Sequence, residues 1–516
     1  MTFRTSASLA VLAAALTLSA CGGDEESRPR GDDPASQGAP DSAIDALAAL
    51  GLAEPGRASW VDRVEEGDSY IFTDFTLATD EGVLNAEMLT LTGLAMSDQG
   101  PVFDRLSVNV GEIVYEDGEA GFQAFTVTDA GPGVGRALAN LINGEGGFDS
   151  IPLEQQTFAS TSLDTLRVLT SVESDGPSEL VIADLSAEGF DGETLDSFTL
   201  TDLAYDATDM DGNETAIDLS GIEAVGVNAA LLQASMAGEV IQDPLMGAAA
   251  SGYDQYERIA VDGLRVMSGS VAVAMANFVA EIEERRSGTI VSTAAMPSLT
   301  LEPAENAGAG QGFSDALASL GYDSMEFSFA SETEFDPDAD RVTTIGENYL
   351  AMEDGFLMSF EQNLSGVQAY TEAMSAWLAD AEARAAQGEA APDAPPAEVL
   401  EPLMIHSARI IVEDRSLVDR ALTMMAEQQG TTPAQLRSSA GMFVGIAMAA
   451  ASESMPQVPR PLFVELSGAL TTFLGEGGAI IVEFEPEEPV SAARFAGDEG
   501  PDLSGLVVRH EAVEPD

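Results

Sequence analysis

Short phrases in which apolar residues alternate with Thr, Ser and Asp recur along this chain, and they limit its fold more than any other feature. Tyr70-Ile71-Phe72-Thr73-Asp74-Phe75-Thr76-Leu77 is followed by Met88-Leu89-Thr90-Leu91-Thr92-Gly93-Leu94. Phe125-Thr126-Val127-Thr128, Phe198-Thr199-Leu200-Thr201-Asp202-Leu203 and Ile217-Asp218-Leu219-Ser220-Gly221-Ile222 repeat the pattern. A period of two puts the apolar residues on one side of an extended backbone, so each phrase reads as a half-buried strand. Turn-forming clusters separate them: Asp80-Glu81-Gly82, Asp98-Gln99-Gly100, Glu116-Asp117-Gly118 and Asp211-Gly212-Asn213. Strands joined this tightly pair antiparallel, and the pattern predicts a meander with one face buried.

Helical segments flank the meander, which makes the fold class α+β with a predominantly antiparallel sheet. Residues 41–50, 135–143 and 228–236 read as short helices. Val367, Tyr370, Met374, Trp377 and Ala381 share one face of a longer helix near 366–387, a stripe that suits core packing. A Pro/Ala-rich linker follows at 388–399. Ser416 with Asp419 resembles a capping box, Gly430 a helix stop, and Pro433 and Pro461 open two further helices. The first of these carries the longest apolar tract, 440–451, which reads as a core helix because it is too short to span a bilayer. A strand at 479–484 closes the region. Asp45-Ala46-Leu47-Ala48-Ala49-Leu50-Gly51 is echoed by Asp315-Ala316-Leu317-Ala318-Ser319-Leu320-Gly321, and Ser298–Pro303 more loosely by 481–486. The copies occur in the same order and suggest two related halves, 41–302 and 312–510.

The N-terminus reads as an address. Arg4 lies in a short basic lead, an apolar run covers 9–18, and small residues precede the chain's single cysteine, Cys21. Leu18-Ser19-Ala20-Cys21 resembles the lipobox of bacterial lipoproteins. That resemblance implies removal of residues 1–20 as a signal peptide and acylation of Cys21, with acyl chains (palmitate among them) holding the body to a membrane. Each buried methylene then adds about 0.8 kcal/mol of anchoring. In the lipoprotein sorting rule an Asp after the cysteine favours inner-membrane retention; Gly22 stands here, so the periplasmic leaflet of the outer membrane is the expected home. Residues 21–40 are rich in Gly, Pro, Ser and acidic residues and predict a flexible acidic tether with an r.m.s. span of roughly 25 Å.

Composition excludes more than it assigns. The chain holds 88 acidic residues against 21 arginines and no lysine, for a net charge of −67. Nucleic-acid phosphates and anionic lipid surfaces are therefore poor partners. Without lysine there is no Schiff base, P-loop lysine or Ser-Lys dyad. With Cys21 committed to the anchor, no cysteine remains for a nucleophile, a disulfide or a thiolate metal site. His406 and His510 cannot make a histidine zinc site. His406 falls in a predicted strand with Met404, Ala408, Ile410 and Val412 on its side, which suits a core or edge position. A hydrophobic content of 45% is that of a globular protein.

Two acidic clusters have calcium-loop spacing. Asp336, Asp338 and Asp340 stand at positions 1, 3 and 5 and Glu347 at position 12, but Arg341 replaces the required glycine and the flanks read as strands. A β-hairpin turn is the better reading there, and likewise at Asp209-Met210-Asp211-Gly212-Asn213-Glu214. The strand phrases loosely resemble those of AsmA-type and other β-rich proteobacterial envelope proteins, some of which hold lipid in a β-sheet groove. AsmA-type proteins commonly carry an N-terminal transmembrane helix, which this chain replaces with a lipobox. The sequence thus reads as a non-enzymatic envelope lipoprotein without cofactor, binding a hydrophobic ligand or an envelope protein through its sheet. The alternatives are a calcium-stabilised adhesion or scaffold module and a hydrolase built on paired carboxylates.

Overall fold

The structure is a computed structural model that describes residues 40–79, 82–115, 117–172, 176–208, 214–229, 231, 255–304, 311–386, 395–454, 460–496, 503 and 505–513. Cys21, the tether, Asp209–Asn213, residues 387–394 and most of the helix expected at 228–236 lie outside them. The chain divides into two compact units, Met1–Ile241 with Asp254–Gly269 and Gln242–Tyr253 with Ser270–Asp516.

The first unit is the meander read from the strand phrases. Helix α1 (Pro40–Ala49) precedes β1 (Ala58–Ser59), β2 (Asp62–Glu66), β3 (Ser69–Ala78), β4 (Gly82–Thr92), β5 (Ala95–Ser97), β6 (Gly100–Tyr115) and β7 (Gly118–Ala130). Helix α2 (Pro132–Asn143) and two 3₁₀ turns lead to β8 (Phe158–Val172), β9 (Gly176–Phe190), β10 (Thr194–Thr208), β11 (Glu214–Asn228) and β12 (Arg258–Ser268). Every pairing is antiparallel, in the order β3, β4, β6, β7, β8, β9, β10, β11, β12, with β1 and β2 beside β3 and β5 beside β6. Phe72, Phe75, Phe103, Leu91 and Leu163 fill the core with Leu47 and Leu50 of α1 and Val134, Ala137 and Ile142 of α2. Each large side chain buried this fully contributes roughly 1.5–3 kcal/mol.

The apolar spacing along these strands is not a plain alternation. Buried residues run Tyr70, Phe72, then Phe75, Leu77 in β3, and Ala120, Phe122, then Phe125, Val127, then Ala130 in β7. Steps of two are interrupted by steps of three, so two consecutive residues point away from the core at each interruption. The backbone cause is a left-handed residue on every second strand: Asp74, Val110, Thr165, Asp202 and Gly263, with φ of 48°, 47°, 51°, 49° and 62° on β3, β6, β8, β10 and β12. Strand register is the same on both sides of each kink, as Thr73 facing Met88 and Phe75 facing Ala86 show for β3 and β4. The five therefore stand at one level across the sheet. A second row crosses at Gly93, Asp129, Gly189 and Gly226, with φ of 66°, 47°, 69° and 63°. Asp and Gly adopt this conformation at low cost, whereas a β-branched residue does so under strain. At Gly189 a Cβ atom would also collide with the Asp196 carboxylate.

The second unit contains β13 (Val271–Glu284), β14 (Ile290–Pro303), helix α3 (Gln311–Leu320), β15 (Met325–Asp336), β16 (Arg341–Thr344), β17 (Tyr349–Met352) and β18 (Phe356–Ser365). Helices α4 (Val367–Ala386) and α5 (Ala397–Leu400) precede β19 (Met404–Asp414), and α6 (Leu417–Gln429), α7 (Pro433–Ser454) and α8 (Arg460–Glu476) follow it. Strands β20 (Gly478–Phe484) and β21 (Val490–Ser491), helix α9 (Ala493–Ala496) and β22 (Leu506–Glu511) complete the unit. Its strands also pair antiparallel, β13 to β14 to β15, then through β16 and β17 to β18, β19, β20 and β22. The first half expected from the echo ran to residue 302, yet β14 pairs with β15 along most of its length, and both β13 and β14 belong with the second unit. The two heptapeptide copies do end alike: Leu52 N–H donates to Leu47 O at 2.9 Å and Tyr322 N–H to Leu317 O at 3.0 Å.

Two helix expectations need correction. The tract at 440–451 is helical within α7, but it is not a core helix: Met442, Phe443 and Ile446 are 62%, 61% and 62% exposed. Helix α7 packs on α6 and α8, and these neighbours leave its other face open among the described residues. Ser416 does not cap α6 with its side chain. That position is taken by Asp414, whose Oδ1 accepts the Val418 N–H at 2.9 Å, while the Ser416 hydroxyl turns to Asp354 O.

Gly189→Val is expected to lower the free energy of urea unfolding by about 1–3 kcal/mol, the cost of holding a side chain in this backbone region. Val110→Asn should raise it by up to about 1 kcal/mol, since Asn tolerates the conformation that strains Val.

Candidate functional site

Strands β14 to β22 give the second unit's sheet two unlike faces. Register aligns Met296 with Phe329, Phe329 with Leu350, Leu350 with Met358, Met358 with Val412, Val412 with Ile480 and Ile480 with His510. Residues that face each other across antiparallel strands project to the same side, so this is one apolar row seven strands wide. A second row beside it pairs Phe360 with Ile410 and Ile410 with Val482. The opposite side mixes apolar positions, such as Ile411 and Ile481, with ionic ones. There Glu361 faces Arg409 and Arg409 faces Glu483, with Arg409–Glu361 at 3.2 Å and Arg509–Glu483 at 3.4 Å. Such solvated pairs contribute about 0–1 kcal/mol each. Ile481 and Ala479, on the same side of β20 as Glu483, are 2% and 3% exposed.

The apolar row is only half covered. Phe329, Leu350, Met358, Val412 and Ile480 are all intermediate in burial, and Ile410 is 44% exposed. In the first unit, by contrast, the corresponding central residues of the sheet are almost completely enclosed. One end of the face is sealed: Phe327, Met352 and Phe356 pack with Leu317 and Tyr322 of the α3 region and with Leu417. Arg420 from α6 lies 4.2 Å over the Tyr322 ring and donates to Gly321 O at 2.6 Å, which ties α6 to α3. At the far edge α8 packs on β20 and β22, and His510 Nε2 lies 2.7 Å from Gly477 O at the end of that helix. Large aromatic and aliphatic side chains left half-wet in the middle of a wide sheet form a surface suited to an apolar ligand.

The acidic cluster at 336–347 folds as the hairpin turn its flanks implied. Asp336 Oδ1 accepts the N–H groups of Asp338 and Ala339 at 3.0 and 3.2 Å. Asp340 Oδ1 accepts the Gln368 N–H at 2.8 Å and so caps α4 instead of converging with Asp336. Arg341 Nε donates to Asn363 Oδ1 at 2.6 Å, and Glu347 is exposed in a separate turn. The second cluster, 209–213, lies outside the described residues. Among the described residues, no group of three or more His, Cys, Asp and Glu converges to hold a metal ion.

His406 is half-buried at the start of β19, with Nε2 2.8 Å from Ser365 Oγ. Burial, and then the nearby Arg341 charge, lower its pKa from 6.5. Glu353 is the carboxyl raised above its usual range, because it shares a hydrogen bond and a like charge with Glu326. Both are exposed, and Glu326 projects from the polar side of β15, opposite Phe327. Two solvated carboxyls in direct contact are not the pair flanking a concave cleft that glycoside hydrolysis uses. Cys21, the residue expected to be acylated, lies outside the described residues. The apolar row was not singled out in the sequence, although Phe356-x-Met358-x-Phe360, Ile410-x-Val412 and Ile480-x-Val482 carry its alternation.

A family model described as "Uncharacterized protein" matches residues 349–510, which run from β17 nearly to the end of β22. A search of curated proteins finds no match to the chain. Among the described residues no helix is long and apolar enough to cross a membrane.

Because its folded pKa is depressed, His406 contributes stability that is present above 6.5 and lost as pH falls below it. An NMR titration is expected to place His406 below that value, and His406→Gln should flatten the loss of stability as pH falls below 6.5.

Proposed function

We propose that this chain is a non-enzymatic, lipid-anchored envelope protein that holds a hydrophobic ligand, an acyl chain of a lipid, against the apolar face of its second unit. The observation that carries this reading is the seven-strand row from Met296 to His510, whose central side chains are large, apolar and half-exposed. A row this wide is long enough for an extended chain: neighbouring strands are about 4.8 Å apart, so seven strands span roughly 29 Å. No charged side chain interrupts it before His510. The face behind it carries the ion pairs of Arg409 with Glu361 and of Arg509 with Glu483.

The lipobox phrase supports the anchor, with Cys21 as the acylated residue, an acidic tether at 21–40 and the periplasmic leaflet of the outer membrane as the site. The net charge of −67 fits this placement, since it keeps the body soluble and away from nucleic acids and anionic surfaces.

Native mass spectrometry after mild extraction tests the ligand. The protein is expected to carry lipid-sized adducts, and Ile410→Glu, at a position already 44% exposed, to reduce their occupancy at least about tenfold, equivalent to 1.4 kcal/mol. A protein free of lipid, with no crosslinked envelope partner, would contradict the reading. Radiolabelled palmitate should enter the parent and not Cys21→Ser.

A further inference from the structure

Helices α7 and α8 pack together, and α7 turns large apolar side chains to the outside. A Cβ atom on Gly441 would touch the Thr471 side chain, which sets the two helices in register. Met442, Phe443 and Ile446 stand about 100–200° around α7 from Gly441 and so point away from α8. Exposed residues of this size grouped on one face mark a contact surface; scattered singly they would not.

Charge indicates what that surface meets. Asp and Glu number 88 in this chain, yet residues 428–452 contain neither. Arg437 is the one charged residue in that stretch, and it is paired with Asp419 of α6. A second copy of this chain would bring another −67 against the same face and is disfavoured by repulsion. A zwitterionic lipid surface imposes no such repulsion, and it accepts apolar side chains at its headgroup boundary. Along residues 440–451 of α7, approach to a bilayer strips water only from apolar and small neutral groups.

We propose that the open face of the α7–α8 hairpin seats on the surface of a zwitterionic bilayer, with Phe443 and Ile446 at the level of the headgroups. The body then lies down on the membrane instead of swinging free on its tether. This rests on the membrane-anchored reading but not on the ligand: the hairpin face is separate from the sheet row.

The test uses the full chain, reconstituted through its own N-terminus into phosphatidylcholine vesicles, with Phe443→Trp compared with the parent that carries Trp60 and Trp377. The added emission is expected to be blue-shifted and lost when brominated phosphatidylcholine replaces the ordinary lipid. Raising the share of phosphatidylglycerol at low salt should restore that emission, and adding salt should quench it again, because screening relieves the repulsion of the acidic body. Ile446→Asp in the same background should remove the quenching while native mass spectrometry finds the bound lipid unchanged. An introduced indole reached by iodide and untouched by brominated lipid would overturn the proposal. So would one shielded from both quenchers, which would assign the face to a second copy or another protein.

Discussion

The sheet of the first unit depends on a backbone event repeated at one level across many strands: a single residue turned into the left-handed region without any change of register. Asp74, Val110, Thr165, Asp202 and Gly263 form one such line and Gly93, Asp129, Gly189 and Gly226 another. Only one strand of each pair carries the left-handed residue at a given level, yet the apolar side chains on both strands step by three together, as Phe72 to Phe75 and Ala86 to Leu89 do, and remain on one face. A step of three in one strand alone would turn half of that strand's core residues to water. The cost is a conformation that most residues avoid, and the chain meets it mainly with Asp and Gly. Helices α1 and α2 then complete the enclosure, and the core of this unit closes tightly.

The second unit uses the same antiparallel pairing but does not close in the same way. One face of its sheet carries the ion pairs of Glu361, Arg409, Glu483 and Arg509 among apolar residues such as Ile411 and Ile481. Its apolar face is sealed at one end, where α3 and Leu417 lie over Phe327 and Phe356, and stays half-open along Phe329, Leu350, Met358 and Ile410. A folded chain that leaves this much apolar surface half-wet forgoes stabilisation of about 25 cal/mol per Å². A bound hydrophobic ligand would recover it. The contrast between the two units therefore bears on function more directly than either unit alone.

Fold class was legible because alternation and short turns are local signals. The phrase Phe72-Thr73-Asp74-Phe75 even contained the step of three, but Asp74 reads there as one more solvent-facing polar residue. Its left-handed backbone is set by the partner strands, which a linear reading does not see. The same reason explains the other differences. Ser416 has the composition of a cap, yet Asp414 is the residue the strand delivers to the helix end. The tract at 440–451 announces a helix and a preference for apolar surroundings; which surroundings it has depends on α6 and α8, which cover one side only. The break expected after residue 302 overlooked the pairing of β14 with β15, a contact between segments separated by helix α3. At the acidic turn, Arg341 in place of glycine and the strand-like flanks together indicated a hairpin, and Asp336 and Asp340 spend oxygens on backbone N–H groups.

If a hydrophobic molecule rests on the half-open face of the second unit, a reactive lipid should mark that face and leave the other untouched. Photo-crosslinking with a diazirine-bearing fatty acid, followed by mass-spectrometric mapping of the labelled residues, addresses this directly. The expected result is label concentrated on Met358, Phe360, Ile410 and Ile480 and absent from the face carrying Glu361 and Arg409. Label spread equally over both faces, or confined to the first unit, would contradict it.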